Sequence, residues 1–215
     1  MMLARQLAWG SPQQVFGETP AVLADALIDG VNLAAWQRQL PSPIAHFAGA
    51  LLALDEPLSE SLTVEPDAGG TVSMPSLAAA YRGITGHSEF VADVAWLVSA
   101  FTCLLEARRI GVRLRVLDKP MCPRFHVDYV PLRLISTYAG PGSEWLHEDA
   151  MPRHRLGEPA AEPHDSRDIQ HLLAGEVALF KGEKWAGNEG AGIIHRSPLT
   201  SPANKRLILT LDWLA

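Results

Sequence analysis

The sequence predicts an α+β protein in which a helical first half packs on a β-sandwich or jelly roll formed by the second half. Up to about residue 110 the apolar residues recur at helical spacing, whereas from residue 112 onward (VRLRVL) they alternate with polar residues, which is the period of a half-buried strand. The second half also breaks into short strands separated by turn sequences. Many short strands with such turns are typical of sandwiches and jelly rolls.

The clearest helix is expected between Ser88 and Arg109, with Ser88 as its N-cap and Gly111 as its stop signal. Its apolar stripe must pack on something large, and a sheet from the second half is the natural partner. Three shorter helices are predicted earlier in the chain, at 21–28, 32–40 and 44–54.

Strands are predicted at 62–64, 112–117, 132–138, 176–180, 192–195 and 206–213. The polar segment 147–168, which contains prolines and histidines, is predicted to be a lid-like insertion because of its length. We therefore expect a mainly helical region at 1–110 that packs on the sheet, followed by a metal-binding core at 111–215.

Composition and charge narrow the class of partner. The net charge is −6 and no Lys/Arg block stands out, which argues against nucleic acid. The most apolar run, 90–105, contains Asp93 and is shorter than the about 20 residues that span a membrane. The first residues hold no apolar core of signal-peptide length, and two cysteines form no disulfide framework. We expect a cytoplasmic protein with no membrane partner, whose oligomeric state stays open.

A metal site is predicted from one short motif and one distant histidine. His126-Val127-Asp128 is expected in an extended strand, so the imidazole of His126 and the carboxylate of Asp128 converge while Val127 points away. His195 lies in another predicted strand. Two imidazoles and one carboxylate on one side of an ion leave three positions open, which is the arrangement of non-haem Fe(II) oxygenases. We predict that His126, Asp128 and His195 bind one metal ion.

Arg206 lies eleven residues after His195, at the start of the last predicted strand. A guanidinium there is expected to bind the distal carboxylate of 2-oxoglutarate in a bidentate pair. Thr210 shares the face of Arg206 by period two and is expected to line the same pocket. Thr137 and Tyr138 end an earlier strand on opposite faces. Tyr138 is included among the expected cofactor-binding residues, although the sequence leaves open which of the two points inward.

Cys122 keeps a different metal site open. It lies four residues before His126 and is a candidate fourth ligand, and a thiolate there favours zinc in a closed site over an oxygenase. A cysteine at such a position is more often a small packed residue. The histidines at 147, 154, 164 and 171 are irregularly spaced in a polar segment and are interpreted as solvated loop residues.

Two stretches of the second half carry a family resemblance. The segment GEVALFKGEKWAGNEGAGIIHRSPLTSPANKRLILTLDW resembles the closing half of the Fe(II)/2-oxoglutarate dioxygenase core, where a Gly-initiated apolar strand precedes the distal metal histidine and a basic residue follows about ten positions on. Together with CPRFHVDY, TYAGPGSEWL and HRSP, it is similar to a bacterial family known as domain of unknown function 1826.

The superfamily resemblance implies a double-stranded β-helix, the cupin-like form of the jelly roll, with Fe(II) and 2-oxoglutarate as cofactors. It also implies a dioxygenase that hydroxylates a small-molecule or protein substrate, which the sequence does not name. The family resemblance implies a connection with zinc limitation. The alternative is therefore a non-catalytic metal-binding protein of zinc and metal homeostasis.

Overall fold

The structure is a computed structural model that describes residues 11–54, 56–67 and 70–214. The first residues, on which the expectation of no signal peptide depends, lie largely outside the described range. The described chain forms ten strands and two α-helices, together with five short 3-10 helices. The strands are β1 Gln13–Gly17, β2 Val31–Trp36, β3 Ser59–Val64, β4 Arg109–Leu117, β5 Leu132–Ala139, β6 Glu144–Leu146, β7 Ile169–His171, β8 Val177–Lys181, β9 Ile194–Arg196 and β10 Arg206–Leu214, and the α-helices are α1 Ser42–Ala53 and α2 His87–Leu105.

Seven strands form one large sheet in the order β1-β2-β8-β5-β10-β4-β3, and β7-β6-β9 form a small second sheet. All neighbouring strands are antiparallel except β1 and β2. The fold is thus mixed α+β with a large sheet and few helices. The finer layout of a double-stranded β-helix stays a prediction.

Each face of the large sheet has its own apolar core. On one face α1 and α2 pack through residues such as Phe47 and Phe90 against alternate residues of the central strands, including Leu134 and Leu209. On the other face Trp145 and its neighbours from the small sheet pack against residues such as Phe180. The large sheet is therefore covered by helices on one side and by the small sheet on the other.

The strands predicted in the second half agree closely with the structure, although β6 and β7 were not predicted, and the first half is corrected. The predicted helix at 32–40 is wrong, because Val31–Trp36 is a strand. Five of the six residues of this strand are buried, so both of its faces are apolar and the alternation that signals a strand is missing. β1 was not predicted at all. The first half is thus not mainly helical, and strands from both sides of residue 110 share one sheet.

The helix predictions need smaller corrections. The helix expected at 21–28 is a 3-10 helix, Pro20–Leu27. The helix expected from Ser88 to Arg109 spans His87–Leu105, with Gly86 rather than Ser88 at its N-cap. It ends at Glu106, whose φ of 49° is left-handed, because the chain turns there into β4.

In the described ranges α2 is the one helix long and apolar enough to cross a membrane. Here α2 packs on the core, because one of its faces is buried and the carboxylate of Asp93, near its middle, is paired with Arg38. The buried residues of that face are Phe90, Val94, Leu97, Val98 and Phe101.

A charged triad ties α2 to the sheet. The guanidinium of Arg38, just after β2, donates to both carboxylate oxygens of Asp93 on α2, at 2.6 and 2.9 Å. Tyr138 on β5 donates its hydroxyl to the same carboxylate. The side chains of Arg38 and Asp93 are only 8% and 13% exposed, so each depends on the other for its compensating charge.

We expect Asp93→Ala to destabilise the fold by about 3–5 kcal/mol, because it leaves the buried Arg38 without its counter-charge. Urea unfolding followed by circular dichroism measures this. Glu89→Ala, on the exposed side of the same helix, is the matched control and should stay within about 0.5 kcal/mol of the parent. Equal losses from the two variants would contradict the role given to the triad.

Candidate metal centre

Two backbone hydrogen bonds bring the separated histidines together. His126 N–H donates to the carbonyl of His195 at 3.0 Å, and His195 N–H donates back to the carbonyl of His126 at 2.9 Å. The sequence predicted a strand around His126, but the structure has only this isolated bridge to β9. His126 and His195 are therefore brought together by pairing at the edge of the small sheet, and not by a regular strand around His126.

The backbone of Asp128 is held against the end of β8. Glu183 N–H donates to the Asp128 carbonyl at 2.9 Å, and Gly182 N–H donates to the carbonyl of Pro131 at 3.0 Å. A Cβ at Gly182 would lie 2.2 Å from the carbonyl oxygen of Val130 and 2.6 Å from that of Asp128. Only glycine admits this approach, so residue 182 fixes the distance between the loop and the sheet.

The three predicted ligands form one compact cluster. The Nε2 of His126 lies 3.7 Å from Oδ1 of Asp128, and the Nε2 of His195 lies 3.6 Å from Oδ2 of Asp128. All three ligand atoms lie within 4.8 Å of one another. Atoms bound at about 2.1 Å to one ion lie roughly 3.0–3.5 Å apart, so a small shift lets the cluster hold a divalent metal.

Both imidazoles are oriented for metal binding through Nε2. The Nδ1 of His126 lies 2.9 Å from the carbonyl of Arg124, and the Nδ1 of His195 lies 3.0 Å from the carbonyl of Ile193. A carbonyl accepts only, so each Nδ1 carries the proton and each Nε2 keeps its lone pair for a metal. Burial lowers the pKa of His195 to about 4, against the opposing effect of Asp128, so this ring is neutral at neutral pH.

Arg133 pairs with the carboxylate of the candidate ligand Asp128, and the sequence did not predict this partner. Its guanidinium lies 2.6 Å from Oδ2 of Asp128 and 2.6 Å from Oδ1 of Asp212. Burial alone would raise the pKa of Asp128, but the hydrogen bond with His126 and the proximity of His195 and Arg133 lower it well below its usual range. Asp128 is thus ionised and oriented before any ion binds. The sequence feature that could have indicated this partner is the position of Arg133, five residues after Asp128 in a predicted strand.

Arg206 is buried with most of its hydrogen-bonding capacity unused. It is 1% exposed, and its Nη2 donates to the hydroxyls of Thr137 and Ser143 at 3.0 and 3.2 Å. Within the described part of the chain, its Nε and Nη1 have no hydrogen-bond partner. Burial lowers its pKa to about 10, partly offset by Glu144, so the group remains a cation at neutral pH. A buried cation without a paired carboxylate is costly and marks a place for an anionic ligand.

The remaining predicted residues divide between the two faces of the large sheet. Thr210 lies in the wall of the metal pocket, as expected. Tyr138 does not: it packs on the helical side against Phe90, which corrects the prediction that it binds the cofactor. By alternation Thr137 takes the inward position, and its hydroxyl accepts from Arg206. Cys122 also lines the pocket, but its thiol is not part of the compact ligand cluster.

The lid-like segment 147–168 lies over the small sheet as an ordered layer. Met151 and Leu156 pack with Phe125 and Ile194, residues adjacent to the two metal histidines. Arg153 further attaches the segment, because it donates to the carbonyl of Gly192 and lies 3.7 Å from the carboxylate of Glu183. The insertion therefore supports the histidines from behind.

We expect His126→Ala and His195→Ala each to weaken Co(II) binding by at least about 100-fold, because the loss of a ligand exceeds the loss of an outer-shell group. Equilibrium dialysis and the visible absorption of bound Co(II) measure this. His154→Ala is the matched control, since His154 is exposed and lies outside the cluster. Unchanged affinity in either test variant would remove that histidine from the site.

Comparison with solved structures finds several proteins of similar fold at low identity. A prolyl-4-hydroxylase from Pseudomonas putida is 12% identical, with a TM-score of 0.47, over 90% of this chain and 96% of that one. A dioxygenase for auxin oxidation in rice is 15% identical, with a TM-score of 0.47, over 96% and 83%. A protein of the 2OG-Fe(II) oxygenase family from Burkholderia pseudomallei is 14% identical, with a TM-score of 0.41, over 94% and 95%.

No curated protein matches the sequence. The model of a family described as "Protein of unknown function (DUF1826)" matches residues 17–212. The match covers most of the chain and includes the three candidate ligands and Arg206. It confirms the family expected from the motifs of the second half. The chain belongs to the DUF1826 family.

Proposed function

We propose that this protein is an Fe(II)- and 2-oxoglutarate-dependent oxygenase that oxidises a substrate not yet identified. One observation carries the proposal: a His-Asp-His cluster and a buried arginine without a carboxylate partner occur beside one pocket. Ser143, which accepts a hydrogen bond from Arg206, lines the same pocket as His126, Asp128 and His195. A site that binds only a metal ion does not require a buried arginine that lacks a carboxylate partner.

The donor set fits Fe(II). Two neutral imidazole nitrogens and one carboxylate are the ligands of non-haem iron oxygenases, and three protein ligands leave positions for a chelating cosubstrate and for O2. Bound iron, together with 2-oxoglutarate and O2, would supply the oxidation of a substrate C–H bond with loss of CO2 from the cosubstrate. The chain itself provides binding, orientation and exclusion of water.

Each part of that task falls to particular residues. Arg206 would bind the distal carboxylate of 2-oxoglutarate through its unpaired Nη1, with Thr137 and Ser143 fixing Nη2 of the guanidinium. Arg133 keeps the Asp128 carboxylate oriented toward the two Nε2 atoms. Ile135 and Ile208 form apolar walls of the pocket and keep water from its floor.

If the proposal holds, anaerobic addition of Fe(II) and 2-oxoglutarate should give a weak visible charge-transfer band. The band requires the cosubstrate to chelate the iron, so metal binding alone does not produce it. Absence of the band from protein fully loaded with iron would contradict the oxygenase assignment.

Arg206→Gln should raise the Kd of 2-oxoglutarate at least about tenfold, because hydrogen bonds to a charged group are lost, while Fe(II) binding is unchanged. Titration of the charge-transfer band measures the first, and dialysis the second. Arg82→Gln makes the same charge change on the helical side of the sheet and should bind 2-oxoglutarate like the parent. Equal cosubstrate affinity in Arg206→Gln would exclude that residue from the site.

A second candidate function rests on Cys122. Its place in the pocket wall keeps open a non-catalytic protein of zinc and metal homeostasis, in which a shift of the loop before His126 would add a thiolate ligand. X-ray absorption of the zinc-loaded protein distinguishes the two functions. A Zn–S distance of about 2.3 Å would favour zinc handling, and a sulfur-free shell would favour the oxygenase.

A further inference from the structure

The small sheet covers only part of the large sheet. Of the two strands at the far edge, β4 contributes only Leu117 to the apolar contacts with the small sheet, and β3 contributes none. The metal pocket lies at the border of the covered part, because Ile208 and Thr210 of β10 form one of its walls and β10 pairs directly with β4. An uncovered surface therefore begins beside the metal pocket.

This surface carries hydrogen-bond donors, and the carboxylate at its border, that of Asp212 opposite Gly111, is already paired with Arg113 and Arg133. Residues that stand opposite one another in antiparallel strands share a face, so Arg113 lies beside Thr210 and Arg115 lies beside Ile208 on the pocket side. The same rule adds the exposed hydroxyls of β3, of which Ser59 stands opposite Arg115. We name this surface the β3–β4 shelf, and it consists of Ser59, Ser61, Thr63, Gly111, Arg113 and Arg115.

Arg115 is the least compensated group of the shelf. Among the described residues it has no carboxylate partner: its Nη1 contacts the sulfur of Met121 at 3.6 Å, and its Nε is buried without a hydrogen bond. Arg113, by contrast, is paired with Asp212 at 3.0 Å. Met121 itself lines the metal pocket, so the contact places Arg115 at the border of the pocket.

Arg115 and Arg206 serve different sides of the pocket. Arg206 reaches over β5 toward Thr137 and Ser143, whereas Arg115 stands on β4, on the opposite side of β10. An anion bound by Arg206 therefore leaves Arg115 uncompensated. Because Arg113 is paired with Asp212, Arg115 is the arginine of the shelf whose charge remains available to an anion.

We propose that the β3–β4 shelf binds an anionic group, a phosphate or a carboxylate, of the substrate that is oxidised at the metal, with Arg115 as its principal contact. The location of the chemistry rests on the proposed function, whereas the anion site rests on the shelf alone. One available arginine in a protein of net charge −6 suits a small anionic molecule better than a polyanion.

Inorganic phosphate is the first probe, and the metal-free protein is sufficient. Titration followed by backbone amide chemical shifts should move the signals of 59–63 and 111–115, while acetate titrated in the same way tests for a carboxylate. The more tightly bound of the two anions names the group. Shifts confined to other parts of the chain with both anions would overturn the proposal.

Arg115→Gln should raise the Kd of the preferred anion at least about tenfold, because the charged donors are lost. Arg115→Lys should recover part of the affinity, since it keeps the charge but not the planar fork. Arg82→Gln is again the matched control and should bind like the parent. Unchanged affinity in a folded Arg115→Gln variant would overturn the proposal.

A cross-comparison separates this inference from the proposed function. Arg115→Gln should leave the affinity of the iron-loaded protein for 2-oxoglutarate unchanged, and Arg206→Gln should leave anion binding to the shelf unchanged. Weakened 2-oxoglutarate binding in Arg115→Gln would assign Arg115 to the cosubstrate and overturn the inference. Anion binding to the shelf in a protein that never binds 2-oxoglutarate would contradict the oxygenase and leave the anion site standing.

Discussion

The candidate metal centre depends on one short backbone pairing, the reciprocal hydrogen bonds between His126 and His195. These residues are 69 positions apart, and neither side chain pulls the other into place. The pairing extends the edge of the small sheet by one residue, and the imidazoles then lie side by side with their ring centres 4.5 Å apart. Because the restraint is in the main chain, both side chains remain available for an ion.

Alternate residues in the strands of the large sheet have different roles, because successive side chains point to opposite faces. On β5 and β10 one set of residues packs under the helices, and the alternate set faces the pocket. Arg133 and Thr137 belong to the second set, while Leu134 and Tyr138 belong to the first. The wall of the site that carries Arg133, Thr137 and Arg206 is therefore built on two extensively paired strands, which hold these groups in fixed positions.

The sequence predicted β4 well because buried and more exposed residues alternate along it. It failed at β2, whose residues are buried on both faces and carry no alternation. The three clustered histidine and aspartate side chains were predicted from residue chemistry alone. Arg133 and the choice between Thr137 and Tyr138 were not, because they depend on strand parity and on contacts between distant segments.

The close approach of Gly182 to the backbone of Asp128 and Val130 bears on which positions of that loop can be modified. Backbone contacts at residue 182 and at Glu183 set the position of Asp128. Tyr129 directly follows this candidate ligand, is 74% exposed, and meets the ammonium of Lys184 over its ring at 4.9 Å. Position 129 is thus an accessible attachment point for a spectroscopic reporter, one residue away from the candidate metal centre.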